Sequence, residues 1–378
     1  MKRIAVLGST GSIGTSTLRI VQHLSESFQV VALAAHSNVT LLAEQIALFN
    51  PQIACIYTSE HVQHLQSRFP HVRIVCGDEG LAEIVSHGDV DYVVMAIVGM
   101  RALKSTIQAI EAGKTVGLAS KEVLVSAGEY ISSLAKQKGV KLLPIDSEHS
   151  ALFQCLEGKN PAEIRRVILT ASGGPFRQHA REKLAHVTVE EALAHPTWNM
   201  GPKVTIDSST LINKGLEMIE ARWFFDLPPE KIEVIIHPQS LIHSFVEFID
   251  GSILAQINEP NMIYPIQYAL SYPARMPSMF SPFDFMKNSQ WTFAPADTDR
   301  FPALRLAQES MQTGGSAPAY LNAANEVLVE RFLKRQISWS AISSLLEKLL
   351  MRHLVIPASS LDSILSVDRE AREEAKLA

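Results

Sequence analysis

The stretch KRIAVLGSTGSIG, residues 2–14, decides the fold class. An apolar run stops at Gly8, Gly11 and Gly14 follow at three-residue intervals, and a helical pattern continues to Leu24. Glycine lets a backbone turn tightly and approach a ligand closely. A helix N-terminus adds N–H groups without acceptors and the positive end of its dipole. Strand, glycine turn and helix in this order describe the phosphate-binding corner of a dinucleotide fold, in the variant spacing GxxGxxG. The bare motif is equally compatible with a glycine turn that holds nothing, so its surroundings carry the argument.

Those surroundings repeat the theme as far as residue 145. Apolar runs stand at 4–7, 30–34, 53–57, 73–75, 92–96, 115–118 and 141–143, with helical patterns between them. The runs are rich in Val and Ile and lack polar alternation, as strands buried on both faces do. Right-handed βαβ units follow, and with them a Rossmann-like, doubly wound parallel sheet. Ligands of such sheets lie beyond the carboxyl ends of the strands. After the second run the chain reads Ala35-His36-Ser37-Asn38, without the acid that an NAD site sets against the ribose. That favours NADPH, although no Lys or Arg stands there to hold a 2′-phosphate. After the sixth run, Ser120-Lys121-Glu122 is placed to meet cofactor and substrate; a helix start with an acidic first turn is the competing reading.

The seventh run leads into LPIDSEHSA, residues 143–151. In an extended segment Asp146 and Glu148 point the same way. Two hard carboxylates at one point suit Mg²⁺ or Mn²⁺. The plainer alternative is again a capped helix start.

From 147 to about 271 the pattern changes to α+β. The run 166–170 enters Ala171-Ser172-Gly173-Gly174-Pro175, a hydroxyl and two glycines that suit an anion held by backbone N–H groups. HPTWNMG, 195–201, combines His195, Trp198, Met200 and Gly201 as a lid would; a surface loop whose Trp packs inward is the alternative. Residues 203–206 are expected as a strand, and Asp207-Ser208-Ser209-Thr210 as a helix start. Along that helix Asn213, Lys214 and Glu217 share one face. Lys214, Asn213 and Ser208 near a helix start make a phosphate site, and Glu217 can give a metal its third carboxylate; a surface ion pair beside an ordinary cap is the other reading. Strands are expected at 232–237, 242–249 and 252–257, with Asp250-Gly251 as a hairpin turn.

The expected organisation is a cofactor domain over 1–146 and a catalytic domain over 147–271 with a lid at about 194–202. A proline-rich linker over 272–302 and a small helical domain over 303–378 complete it. Net charge is −5 over 378 residues and no Lys/Arg-dense block occurs, which excludes nucleic acid and anionic membrane as expected partners. Cys55, Cys76 and Cys155 show no CxxC pairing and read as inert thiols. The apolar run after Lys2-Arg3 is too short for a signal peptide and no run approaches a membrane span, so a cytoplasmic setting is expected.

Seven segments together carry a family resemblance: GSTGSIG, LASKE, LPIDSEHSA, LTASGGPFR, HPTWNMGPKVTIDSSTLINKGLEMIEA, HPQSLIHSFVEFIDGS and LNAANE. In this order they resemble the 1-deoxy-D-xylulose 5-phosphate reductoisomerase family. The resemblance implies NADPH, a divalent metal (Mg²⁺ or Mn²⁺, with Co²⁺ as a further candidate), a sugar phosphate substrate and a homodimer. It implies rearrangement of 1-deoxy-D-xylulose 5-phosphate and hydride delivery to the branched aldehyde, giving 2-C-methyl-D-erythritol 4-phosphate for isoprenoid synthesis. By motif, Thr10, Gly11, Ser12, Ile13, Asn38, Ser120, Glu122 and Gly201 would hold the cofactor. Asp146, Glu148 and Glu217 would hold the metal. Lys121, Ser147, Ser172, His195, Ser208, Asn213 and Lys214 would contact substrate, with Trp198 and Met200 as lid and Lys121 steering hydroxyl protons. The chain departs from the family at His36 and Ser37, where Gly and a basic residue are usual, and at Ser120, where Asn is usual. The rivals are a simple NADP-dependent dehydrogenase of a phosphorylated aldehyde or ketone and a non-catalytic NADPH sensor. A semialdehyde dehydrogenase would need an activated cysteine, and none of the three has a polar neighbourhood.

Overall fold

The computed structural model describes residues 1–198 and 200–378; Asn199, inside the stretch read as a lid, lies outside the described residues. The chain divides into two compact units. The first comprises 1–123, 131–150 and 262–281, the second 124–130, 151–261 and 282–378.

In the first unit seven strands form one parallel sheet: β1 (Lys2–Leu7), β2 (Phe28–Ala35), β3 (Ile53–Ile56), β4 (Arg73–Cys76), β5 (Tyr92–Met95), β6 (Thr115–Leu118) and β7 (Leu142–Pro144). Their order is β4-β3-β2-β1-β5-β6-β7, so the winding reverses between β1 and β5. Crevices open at such reversals, outside the carboxyl ends of the strands. All seven expected runs are strands, because a run buried on both faces needs no partner information to be recognised. Ile4, Val6, Leu33, Val93 and Leu118 are fully buried. The helix Ile263–Ser271, read from sequence as part of the catalytic domain, belongs to this unit. Tyr92 Oη donates to Ala269 O at 3.0 Å and Lys2 Nζ to Leu270 O at 2.5 Å.

The second unit holds β8 (Ile164–Ala171), β9 (Ile232–Ile236), β10 (Ile242–Phe248), β11 (Ile253–Ile257) and β12 (Ala294–Pro295), in the order β11-β10-β8-β9-β12. β8 and β9 run parallel and the other pairs are antiparallel. The hairpin turn stands where Asp250-Gly251 placed it: Gly251 has φ +85° and its amide donates to Phe248 O at 3.0 Å. β12 lies inside the stretch read as a linker and pairs with β9. Helices Pro302–Thr313, Ala317–Leu333, Trp339–Arg352 and Leu361–Leu377 bury their apolar faces in the same core as β8 and the helix Ile212–Phe225. A Cβ on Gly215 would come within 2.3 Å of Ala307 Cβ, so helices 212–225 and 302–313 approach as closely as glycine permits.

One expected strand is a helix. Residues 203–206 lie within the helix Pro202–Thr210, with Gly201 as extended N-cap and Pro202 in its first turn. Proline at a first helical position is pre-set in φ, and the Lys203–Asp207 ion pair at 2.7 Å closes one turn. A four-residue apolar run cannot register a helical period. Asp207 and Ser208 therefore sit near this helix's end; Leu211 takes φ +63° and the next helix begins at Ile212.

Candidate functional site

The glycine corner of the first unit is shaped by close approach. Gly8 has φ +85°, and a Cβ there would lie 2.4 Å from Ala96 O; one on Gly14 would lie 2.2 Å from Gly8 O. Ser9 is buried and exchanges two bonds with Gln45, Oγ to Oε1 at 2.7 Å and Nε2 to O at 2.8 Å, which fixes the loop from behind. The outer side is open: Gly11 and Ser12 are exposed, and a Cβ on Gly11 would meet only Gly8 O, at 3.3 Å. No side chain caps the helix Ser12–His23. First-turn amides at the open side of a glycine loop fit a pyrophosphate.

The flanking residues are partly committed to structure. Asn38 caps the helix Val39–Phe49 by accepting from Leu41 N at 3.1 Å. Ser120, expected on the cofactor, turns its hydroxyl inward to Ile97 O, and Met95 O stands at 3.4 Å. Lys121 and Glu122 begin the helix Glu122–Lys138 and are both buried, so they are a helix start and also polar groups held where the sheet's strands end.

Asp146 and Glu148 do not lie on an extended segment. The helix Ser147–Leu156 begins immediately after Asp146, so the two carboxylates occupy its opening turn. Pro144 ends β7, and Asp146 Oδ1 accepts from Ser147 N at 3.0 Å, which favours the helical turn over a longer strand. The helix-start reading thus holds for the backbone while the charges retain other partners. Lys121 Nζ is 2.5 Å from Asp146 Oδ2, Ser147 Oγ donates to Glu148 Oε2 at 2.6 Å, and His149 Nδ1 is 4.0 Å from Asp146 Oδ2. Hard oxygen donors beside a buried lysine are a donor set that a small divalent cation accepts.

In the second unit, the loop after β8 and the end of helix Pro202–Thr210 meet. Gly173 and Gly174 have φ of +82° and +67°, and a Cβ on Gly174 would lie 2.7 Å from Ser208 O. His195 Nε2 stands 3.0 Å from Ser172 Oγ and 3.1 Å from Ser208 Oγ. Its Nδ1 accepts from Thr197 N at 3.1 Å and Trp198 N at 2.9 Å. The ring proton is therefore on Nε2, which donates to the serine oxygens. Burial and the Arg177 guanidinium hold the ring down at about 4, so it is neutral near pH 7. Ser172 Oγ also accepts from Gly174 N at 3.2 Å, which leaves its own proton to donate outward. Hydroxyl and imidazole donors grouped in this way are a set that an anion fits. The set is not a nucleophile and base, because the nitrogen facing the serines already carries a proton.

Lys214 and Glu217 are not a surface pair: they are 4 % and 1 % exposed. Lys214 Nζ donates to Glu217 Oε2 at 2.5 Å and Asn213 Nδ2 to Oε1 at 2.6 Å. Trp198 is half-buried and meets His243 edge-on, with ring centroids 6.1 Å apart. A Cβ on Gly201 would meet nothing within 4 Å, and Gly201 is the N-cap of the helix 202–210, as a hinge can be.

Sequence reading assigned no role to Asp207, Asn325 or Arg177. Asp207 is fully buried, paired with Lys203 and accepting from Asn325 Nδ2 at 2.9 Å. Trp339 Nε1 donates to the neighbouring Ser209 at 2.8 Å. These contacts anchor the helix that carries Ser208. Asn325 and Trp339 lie more than a hundred residues from their partners, and the only signal was the polar run LNAANE inside an apolar helix. Burial pushes the Cys55 thiol up to about 12 and the Cys155 thiol up to about 11, which removes a cysteine nucleophile from consideration at these positions.

Comparison with known proteins gives a consistent result. Three family models match: 1-deoxy-D-xylulose 5-phosphate reductoisomerase over residues 4–128, its C-terminal domain over 142–225, and a further DXP reductoisomerase C-terminal domain over 257–374. The 1-deoxy-D-xylulose 5-phosphate reductoisomerase of Protochlamydia amoebophila is 56 % identical, covering 99 % of this chain and 98 % of its own. That of Chlamydia caviae is 48 % identical, covering 98 % of each. Among solved structures, the reductoisomerase from Zymomonas mobilis in complex with NADPH superposes with TM-score 0.94 at 44 % identity, covering 100 % of this chain and 98 % of its own. A DOX-P reductoisomerase in complex with NADPH, fosmidomycin and magnesium superposes with TM-score 0.95 at 39 % identity, with the same coverage.

Proposed function

The chain belongs to the 1-deoxy-D-xylulose 5-phosphate reductoisomerase family, and we propose how its residues carry out that activity. It is an NADPH- and divalent-metal-dependent oxidoreductase that converts 1-deoxy-D-xylulose 5-phosphate to 2-C-methyl-D-erythritol 4-phosphate for isoprenoid synthesis. The observation that supports the assignment of roles is the neutral, Nε2-protonated His195 between two serine hydroxyls, an anion-binding set that a non-catalytic nucleotide sensor has no need of, while the three motif carboxylates are what a simple dehydrogenase of a phosphorylated carbonyl has no need of.

In our reading the open glycine corner receives the NADPH pyrophosphate on the amides of Gly11, Ser12 and Ile13, with Thr10, Asn38, Glu122 and Gly201 along the cofactor. Ser172, Ser208, His195, Asn213 and Lys214 take the substrate phosphate. Asp146, Glu148 and Glu217 are assigned as the metal's ligands, on their family motifs and the chemistry of three carboxylates. When bound, the cation supplies Lewis-acid polarisation of the substrate's oxygens, and NADPH supplies the hydride. Lys121, 2.5 Å from Asp146, donates to a substrate hydroxyl oxygen and so eases the departure of its proton. Ser147 orients Glu148. The phosphate cradle contributes binding energy remote from the reacting carbons, which orients them. Trp198 and Met200 close over the substrate and exclude water, hinging at Gly201.

The same reading takes the first unit as the cofactor-binding part and the second, with the helices of 303–378 in its core, as the catalytic part, in place of the expected divisions at 147, 272 and 303. It includes a cytoplasmic homodimer. An exposed apolar edge supports the dimer: β11 ends its sheet, with Ile253 54 % and Leu254 40 % exposed, beside Ile249 at 67 %. No helix among the described residues is long and apolar enough to cross a membrane.

The test is NADPH oxidation with 1-deoxy-D-xylulose 5-phosphate, with and without chelator, in the wild type and in Asp146→Ala, Glu148→Ala and Glu217→Ala. Each variant is expected to fold and to lose at least about a hundredfold in kcat, the scale of one removed electrostatic stabiliser. A near-normal rate in Glu217→Ala removes that residue from the metal site. Turnover insensitive to chelator overturns the metal assignment as a whole.

A further inference from the structure

A dinucleotide fold distinguishes its two nicotinamide cofactors at the end of the second strand, where a basic group holds the 2′-phosphate of NADPH. Here β2 ends in Ala35 and the following His36-Ser37-Asn38 contains no Lys or Arg. The missing charge comes from elsewhere in the same unit. Arg101 opens the helix Arg101–Glu111, which follows β5. Its Nη1 lies 2.7 Å from His36 Nε2. Its guanidinium lies over the Tyr57 ring, 5.2 Å from the centroid, and that ring stacks on His36 with centroids 5.2 Å apart and planes 16° from parallel. Tyr57 is itself fixed at the carboxyl end of β3, its amide donating to Ala35 O at 2.9 Å. Residues following β2, β3 and β5 therefore form one stack beside the strand end that reads the ribose.

The charges around this stack leave Arg101 for a ligand. The nearby acid, Asp78, is engaged by Tyr57 Oη at 3.1 Å and by Lys104 Nζ at 3.5 Å. Among the described residues no carboxylate pairs with Arg101. A guanidinium can only donate, so His36 Nε2 is the acceptor and takes one of five N–H groups. The ring holds the guanidinium in place while exposed donors remain, a fork whose geometry matches a phosphate monoester.

We infer that Arg101, braced by His36 and Tyr57, binds the 2′-phosphate of NADPH and so sets this chain's preference for NADPH over NADH. The inference rests on the reading of the first unit as the cofactor site and names the residue responsible for its selectivity.

The experiment measures Kd for NADPH and for NADH by nicotinamide fluorescence, using the full chain, Arg101→Ala and Lys104→Ala. The wild type is expected to prefer NADPH. Arg101→Ala raises the NADPH Kd by about ten- to a hundredfold, the worth of a charge-assisted contact, and leaves the NADH Kd within about twofold. Lys104→Ala leaves the ratio unchanged. An unchanged ratio in Arg101→Ala, or an equal loss of both nucleotides, overturns the assignment to Arg101. The same loss in Lys104→Ala means a diffuse field rather than a contact and overturns it too. A wild type that binds neither nucleotide refutes the cofactor site itself, so the two failures are distinguishable.

Discussion

Replacing Lys214 with Met tests the second unit's charged centre most directly. Lys214 is 4 % and Glu217 1 % exposed, and their charged atoms are 2.5 Å apart. Methionine keeps the length and apolar bulk of the side chain and removes only its charge and donors. Glu217 then keeps the Asn213 bond, made at 2.6 Å, but loses the neighbouring cation. Removing one partner of a buried ion pair costs about 3–5 kcal/mol. For a unit of this size that lowers Tm by roughly 6–20 °C. The companion variants are Glu217→Gln and the double variant Lys214→Met/Glu217→Gln, all followed by thermal unfolding of the full chain. Because each single change takes the opposite charge from a buried ion pair, the double variant is expected to cost less than the sum of the two, by about 1–3 kcal/mol. Mg²⁺ should return part of the Tm lost in Lys214→Met, since a cation at Glu217 replaces the missing charge. In kinetics the substrate KM rises while the NADPH KM does not. A Tm for Lys214→Met within about 2 °C of wild type would refute the reasoning, because it would mean that the Lys214 charge contributes little to holding Glu217 in the core. Additive costs in the double variant would refute it as well.

Three further outcomes are expected. Gly14→Ala brings a methyl group to 2.2 Å from Gly8 O and 2.5 Å from Ser9 Cα, both backbone, so the helix must move off the glycine corner. NADPH Kd rises tenfold or more while circular dichroism shows the sheet retained; normal NADPH binding would exclude that corner as the pyrophosphate site. His195 is held at about 4 against an ordinary 6.5, so the fold disfavours its charged form. The stability this provides is complete above pH 6.5 and is lost as pH falls toward 4. Allowing for solvent at a half-buried ring, the wild type should lose ~1–2 kcal/mol more than His195→Gln between pH 7 and pH 4 in urea titrations; parallel pH profiles would contradict it. Asn325→Leu removes the donor to fully buried Asp207 and should cost about 1–3 kcal/mol by the same titration, with substrate KM raised through displacement of Ser208. An unchanged KM would leave Asp207 and Asn325 with a purely structural role.

What the sequence alone determined was local and periodic. The seven strands of the first sheet, the glycine corner after β1, the Asp250-Gly251 turn and the C-terminal helices were legible because their signals span only a few residues. Strand burial on both faces, positive φ at glycine and helical spacing are properties of neighbours in the chain. The motif residues were legible as chemistry for the same reason. What needed tertiary structure was direction and partnership. Residues 203–206 look like a strand until Gly201 and Pro202 start a helix there. Asp146 and Glu148 look extended until Ser147 opens a helix. Lys214 and Glu217 could sit on a surface until the core encloses them. The tautomer of His195 depends on which of its nitrogens faces the backbone amides. Arg101 reaches His36 only because the sheet reverses its winding at β1 and β5, which brings residues 65 positions apart to the same side. Burial and pairing are sums over contacts from distant parts of the chain, and no window of sequence contains them.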